Sequence, residues 1–153
     1  FEKAKAKSSR ATNQGAVGSY IHMNGKIGVL VELGCETDFV AKNEDFLQLI
    51  KDVAMQIAAL NPRYISEKDI PADVLEKEKE IYRAQAAASG KPANVVDKIA
   101  EGKVREYYGT FCLLEQPYIR EPKTTVGQLL KGRASVRRFA RLRRGEESGT
   151  KAE

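Results

Sequence analysis

The sequence contains one histidine, two cysteines and no tryptophan among its 153 residues. Because His22 is the only histidine, no catalytic or metal site that needs two imidazoles can form within the chain. Cys35 and Cys112 stand alone, without a C-x-x-C pair, so we interpret both as buried thiols of a reducing compartment. A single histidine beside a strand is more typical of a structural or surface residue than of a catalyst.

Phosphate-binding motifs are also absent. The sequence contains neither G-x-x-x-x-G-K-[ST] nor G-x-G-x-x-G, so a nucleotide involved in the function must bind to a partner. Carboxylates are plentiful, but no two of them form an evident acid/base pair in an apolar setting. We therefore expect a protein that is not an enzyme and that has no catalytic residues, no metal site and no cofactor.

Long apolar runs and a signal-peptide pattern are missing too, so we expect no membrane contact. The hydrophobic content of 42% and the charged content of 31% are typical of a globular domain with its own core. The net charge of +5 is concentrated at the ends, since 131–144 contains seven basic and no acidic residues. We predict a basic linker or helix remnant over 1–14, a core domain over 15–144 and a disordered tail over 145–153.

The hydrophobic pattern predicts an α+β fold, with a small antiparallel sheet of about three strands packed against three to four helices. A hairpin is predicted from Tyr20 to Cys35 with its turn at Met23-Asn24-Gly25, because Asn-Gly accepts the positive φ of tight turns. The other predicted elements are a helix from Asn43 to Asn61-Pro62, one from Pro71 to Gly90, one that starts near Pro92 in a regular part ended by Gln116-Pro117, a short helix over 126–130 and a strand over 134–142.

The junction between the second strand and the first helix is the most informative segment. The strand ends at Gly34-Cys35, and a helix starts at Asn43, so Asp38 and Phe39 lie on a loop held by two rigid elements. Such loops carry binding residues. In the alternative interpretation, Phe39 and Val40 fill the core under the turn and Asp38 caps a local backbone group.

Residues 25–43, GKIGVLVELGCETDFVAKN, resemble the signature of the elongation factor Ts family. The resemblance extends over most of the chain in the family's order. Further matching segments are GAVGSYIH (15–22), DVAMQIA (52–58), NPRY (61–64) and LLEQPY (113–118).

The resemblance implies a guanine-nucleotide exchange factor that promotes GDP release from elongation factor Tu. It implies that Asp38 and Phe39, supported by Thr37 and Val40, are pushed toward the switch region of the partner's GTPase domain. The chain has a single TDFV segment, as in the shorter members of the family, which implies a homodimer. The implied location is the bacterial cytoplasm, or the matrix or stroma of an organelle.

Two features depart from the family. The N-terminal helical module that these proteins usually carry is not seen, so we expect 1–14 to be the connector that would follow it. The C-terminal region is abridged and basic. Arg137, Arg138 and Arg141 therefore allow a second interpretation, in which a ribosome- or RNA-associated structural protein contacts nucleic acid through them. Alternatively, these arginines form the solvated face of an edge strand.

Overall fold

A computed structural model describes residues 14–22, 24–36 and 42–146. The chain divides into two compact units, one formed by residues up to Asn61 and again from Leu130, the other by Pro62–Leu129. The range 15–144, predicted as one core, thus contains two units. The predicted linker and tail lie almost wholly outside the described residues, so both stay predictions.

The described elements confirm the α+β class, with antiparallel strands and four α-helices. In chain order they are β1 (Gly15–His22), β2 (Ile27–Gly34), α1 (Glu44–Leu60), α2 (Ala72–Ala88), α3 (Ala93–Phe111), β3 (Pro117–Tyr118), β4 (Glu121–Thr125), α4 (Val126–Leu130) and β5 (Ser135–Arg143). Short 3-10 helices occupy Glu67–Asp69 and Leu113–Glu115.

The first unit is built on a three-stranded antiparallel sheet in the order β1-β2-β5. Val29, Val31 and Leu33 of the central strand are at most 2% exposed, whereas Leu30 on the opposite face is 54% exposed. Helix α1 packs on the buried face of β1 and β2. Buried and exposed residues therefore alternate along β2, and this alternation fixes which face of the sheet belongs to the core.

The ends of α1 follow the predicted capping residues. Asn43 is the N-cap, and Asn61 adopts a left-handed conformation (φ 48°) as the C-cap, with its N–H donating to the carbonyl of Ile57. Pro62 follows and cannot continue the helix. Apolar residues of the predicted stripe, such as Ile50, Val53 and Ile57, are buried.

The second unit consists of the helical hairpin α2–α3 and the pair β3–β4. Ile70, Tyr107 and Cys112 form a buried cluster in it. Burial raises the pKa of the Cys112 thiol to about 11. Cys35 in the first unit is also buried, which confirms that both cysteines are buried.

The short helix α4 is capped by Thr125. Thr125 Oγ1 accepts a hydrogen bond from the Gln128 N–H, and the Gln128 side chain accepts one from the Thr125 N–H. The pair β3–β4 was not predicted. In the described part of the chain, no helix combines the length and the apolar character that a membrane span requires.

Candidate partner-binding site

The strand that leads to the predicted site ends at a fixed point. Leu33 is fully buried and Cys35 is 4% exposed. The N–H of Cys35 donates to the carbonyl of Gln14 at 2.9 Å, which ties this end of β2 to the residue before β1. Glu36 is exposed again. The chain therefore leaves the core within one residue of a buried anchor.

The helix that follows the site begins at an equally fixed point. The side chain of Asn43 accepts a hydrogen bond from the Asp45 N–H at 2.8 Å, and its carbonyl accepts one from the Leu47 N–H at 3.0 Å. Phe46 lies one turn inside the helix and is 4% exposed. Glu44 and Asp45 place negative charge at the positive end of the helix dipole. The first turn is thus stabilised by capping, charge and burial together.

The predicted partner-binding residues Thr37, Asp38, Phe39 and Val40 lie outside the described residues. Their role stays a prediction. The five residues 37–41 join Glu36 to Lys42, and the structure describes the chain on both sides of them.

A groove of about 280 Å³ lies where the two anchors approach each other. Glu36, Asn43, Asp45, Phe46, Leu49, Gly132 and Arg133 line it. Four of these residues have polar or charged side chains, and the side chains of Phe46 and Leu49 are largely buried. Gly132 and Arg133 come from the distant end of the sequence, so no local pattern could have assigned them to the site.

The side chain of Arg137 contacts residues at the end of β2 that leads to the site. The register places Leu33 opposite Val136 but Glu32 opposite Arg138, so Arg137 is the extra residue of a β-bulge. Its guanidinium donates to Glu32 at 3.1 Å and, in a longer contact of 3.5 Å, to the Gln14 carbonyl. A Cβ on Gly34 would lie 2.9 Å from Arg137 Nε, so the guanidinium group passes close to the backbone of β2 at this point.

The other two arginines of the nucleic-acid interpretation also have partners inside the first unit. Arg138 Nε donates to Glu32 at 2.8 Å, although its side chain remains 83% exposed. Arg141 is 10% exposed and donates to the Ala58 carbonyl near the end of α1 at 3.2 Å, with Glu146 at 3.7 Å. Nucleic-acid contact through Arg137, Arg138 and Arg141 is not tested by these contacts and stays a prediction.

Within the described ranges, no group of three or more histidine, cysteine, aspartate or glutamate residues could hold a metal ion. The groove at the strand-to-helix junction combines exposed acidic side chains with one arginine. This arrangement is suited to contact with another macromolecule.

Comparison with known proteins decides the family. Residues 2–146 match the sequence profile described as elongation factor TS. The chain belongs to the elongation factor Ts family. This result confirms the resemblance seen in the sequence.

Curated elongation factor Ts proteins from several bacteria cover nearly all of the chain. The protein from Caldanaerobacter subterraneus subsp. tengcongensis is 55% identical over 150 residues, which are 94% of this chain and 75% of that protein. The protein from Geobacter sulfurreducens is 51% identical over 94% of this chain and 69% of its own length. That from Solibacter usitatus is 48% identical over 96% of this chain and 73% of its own length. The chain is therefore a member of a family of translation elongation factors.

Proposed function

We propose that this protein is a guanine-nucleotide exchange factor that binds GDP-bound elongation factor Tu and promotes release of the nucleotide. The observation that carries the proposal is the pair of buried anchors, Cys35 and Phe46, on either side of the TDFV segment. A rigid frame of this kind can present a short loop to a partner without a large loss of conformational entropy on binding. Membership of the family supports the same partner.

Phe39 is the proposed wedge and Asp38 the proposed polar contact. Burial of a phenylalanine side chain between partner helices contributes about 2 kcal/mol, which corresponds to about a 30-fold change in an equilibrium constant. In a GTPase, Mg²⁺ connects the nucleotide phosphates to the switch loops and needs a near-ideal octahedral geometry. A small displacement of those loops therefore weakens nucleotide binding.

The proposed mechanism needs no acid, base or nucleophile on the exchange factor. By thermodynamic linkage, the factor and the nucleotide weaken each other's binding to elongation factor Tu by the same ratio. Fresh GTP consequently displaces the factor after GDP has left. Exchange of this kind takes place where translation does, and for a bacterial relative this is the cytoplasm.

Release of a fluorescent GDP analogue from elongation factor Tu tests the proposal. The full chain should accelerate release. The acceleration by the Asp38→Ala/Phe39→Ala double variant should be at least about tenfold smaller, because the Phe39 side chain is removed. Asp73→Ala/Ile81→Ala is a matched control, since it removes an exposed acid and an apolar side chain that is 42% exposed from α2. Circular dichroism should show both variants folded.

Absence of stimulation by the wild type would refute the exchange proposal, and equal stimulation by the double variant and the wild type would refute the role of Asp38 and Phe39. The remaining alternative is an RNA-associated structural protein that acts through Arg137 and Arg138. It would be supported by unstimulated GDP release together with salt-sensitive RNA binding that these two residues control.

We further propose that the protein forms a homodimer through the sheet face that α1 does not cover. Val17, Ile21, Leu30 and Leu142 project from this face and are between 54% and 75% exposed. Two rows of residues cross all three strands on this face. One row contains Ser19, Leu30 and Ala140, and the other contains Ile21, Gly28 and Leu142. The Glu32–Arg138 ion pair lies at its edge. A second copy offers the same apolar rows, which makes the face self-complementary.

A further inference from the structure

The turn end of the β1–β2 hairpin carries a cluster of aromatic and basic side chains that the proposed exchange mechanism does not use. We call Tyr20, His22, Lys26, Arg143 and Arg144 the hairpin-end cluster. The register aligns His22 of β1 with Ile27 of β2 and Arg143 of β5, so these three lie on one sheet face in a single row. Strands are about 4.8 Å apart, so this row spans about 10 Å.

Helix α1 does not extend over this row. Arg141, one row back in the register, reaches the Ala58 carbonyl near the end of the helix. Beyond it, His22 and Arg143 on this face are exposed, as are Lys26 in the adjacent turn and Arg144 after the end of β5. This part of the inner sheet face is therefore unpartnered within the first unit.

The aromatic part of the cluster is pre-organised. The rings of Tyr20 and His22 are stacked with their centroids 5.6 Å apart and an angle of 29° between the planes. Tyr20 Oη and His22 Nδ1 are hydrogen bonded at 2.7 Å. An exposed ring held in one orientation offers a flat surface at little entropic cost.

Backbone hydrogen bonds join the turn and the end of β5, which carry the basic residues. The Lys26 N–H donates to the His22 carbonyl at 3.1 Å, and the Arg144 N–H donates to the Lys26 carbonyl at 2.8 Å. The nearby acid is Glu146, whose N–H bonds the Arg143 carbonyl and whose carboxylate lies 3.7 Å from Arg141. The cluster keeps a positive charge, because its three permanent cations have no ion pair among the described residues.

We infer that the hairpin-end cluster binds single-stranded nucleic acid, with a base stacked on the Tyr20–His22 pair and phosphates at Lys26, Arg143 and Arg144. Stacking platforms beside a basic track are the means by which proteins bind single strands without reading their sequence. A duplex does not fit as well, since its bases are already stacked on one another. An acidic protein segment would use the cations but not the aromatic pair.

Fluorescence anisotropy with a labelled 12-nucleotide oligouridylate tests the inference on the full chain. The Lys26→Gln/Arg143→Gln/Arg144→Gln variant should bind at least about tenfold more weakly in 100 mM salt. Its plot of log affinity against log salt concentration should be shallower by about 2, because each phosphate contact to a single strand contributes about 0.7. Lys68→Gln/Lys98→Gln/Lys123→Gln is the matched control, because it removes the same charge from exposed positions of the second unit. The control should stay within about twofold of the wild type.

The aromatic pair is tested separately. His22→Ala should weaken oligouridylate binding about fivefold or more, and His22→Phe should restore it, because stacking needs a ring but no proton. An abasic strand with the same phosphates should bind the wild type as weakly as oligouridylate binds His22→Ala.

Three results would overturn the inference. Equal losses in the triple variant and its control would assign binding to net charge alone. Equal binding of abasic strand and oligouridylate would remove the stacking contact. Displacement of the RNA by polyglutamate at equal charge concentration would indicate a site for acidic protein segments. GDP release from elongation factor Tu should remain unchanged in the triple variant, so the two proposals fail independently.

Discussion

At the scale of single residues, the contact of Glu32 with two arginines joins the central strand to β5. Both guanidinium groups reach the same carboxylate, at 3.1 Å from Arg137 and 2.8 Å from Arg138. The hydrogen bond from Arg138 is the main reason why the pKa of Glu32 lies below its ordinary value of 4.5, and partial burial opposes it. Arg137 and the charges of both arginines lower this pKa further.

A lowered pKa makes this contact dependent on pH. The stabilisation is fully present above the unfolded pKa of about 4.5 and is lost as the pH falls through the lower folded value. Urea unfolding of Glu32→Gln should therefore give a lower midpoint than the wild type at pH 7. The two midpoints should converge below pH 4.5. Glu121→Gln, which changes an exposed glutamate of β4, should follow the wild type throughout.

A difference between wild type and Glu32→Gln that persists unchanged at low pH would contradict the assigned ion pair. Sequence alone could not have revealed this contact. It depends on a bulge that brings two neighbouring arginines to one carboxylate, 105 and 106 residues away. The solvated edge-strand interpretation describes the exposed Arg138 well, whereas Arg141 is nearly buried on the opposite face.

At the scale of secondary-structure elements, β1 and α1 meet at a position where no side chain fits. A Cβ on Gly18 would lie 2.1 Å from Ile50 Cγ2, and Ile50 itself is 2% exposed. Because Cγ2 is attached directly to Cβ of a β-branched residue, it cannot turn away freely. Glycine at this position sets the distance between the strand and the helix.

Gly18→Ala should lower the free energy of unfolding by about 1–3 kcal/mol, the usual cost of overpacking a core. Urea denaturation followed by circular dichroism measures it. Ser19→Ala, which changes the exposed neighbour on the other sheet face, should alter the stability by less than about 0.5 kcal/mol. Equal midpoints for Gly18→Ala and the wild type would show that the helix can shift to accept the methyl group.

Most elements of this fold could be predicted from local patterns. Asn43, Asn61 and Pro62 mark the ends of α1, and the alternation in β2 identifies its buried face. The pair β3–β4 could not be predicted, because Pro117–Tyr118 is too short for a periodic pattern and Pro122 interrupts β4. The order β1-β2-β5 was also beyond local patterns, since it depends on pairing across the whole chain.

The candidate site was only partly accessible to the same reasoning. The strand-to-helix junction follows from the apolar alternation and the N-cap, which are local signals. The site also includes three residues from the far end of the chain. Gly132 and Arg133 line the groove, and Arg137 contacts Glu32 of β2. The composition of the sequence does not change at Asn61-Pro62 or at Leu130. The boundary between the two units could therefore not be predicted from composition.

At the scale of the whole molecule, the proposed homodimer makes stability depend on protein concentration. Unfolding of a dimer to separate chains is coupled to mass action, so its melting temperature rises with concentration. We expect such a rise for the wild type, and a molar mass of two chains by light scattering.

Leu30→Lys/Leu142→Lys should give a single chain of 17.0 kDa, because it places two charges in the apolar rows of the face. Its melting temperature should no longer depend on concentration. Ile81→Lys/Ile119→Lys is the matched control, since these side chains are 42% and 38% exposed in the second unit. A dimeric Leu30→Lys/Leu142→Lys variant would exclude this face as the interface.

The position of β5 in the sequence has a consequence for biosynthesis. Residues Pro62–Leu129 form a continuous unit that can fold as soon as it leaves the ribosome. The first unit must wait, because the partner of β2 is translated only after that entire segment. During this interval the central strand has an open edge of unpaired amide and carbonyl groups, which can pair with other nascent chains. The polypeptide therefore needs chaperone protection or rapid translation chiefly between the synthesis of β2 and that of β5.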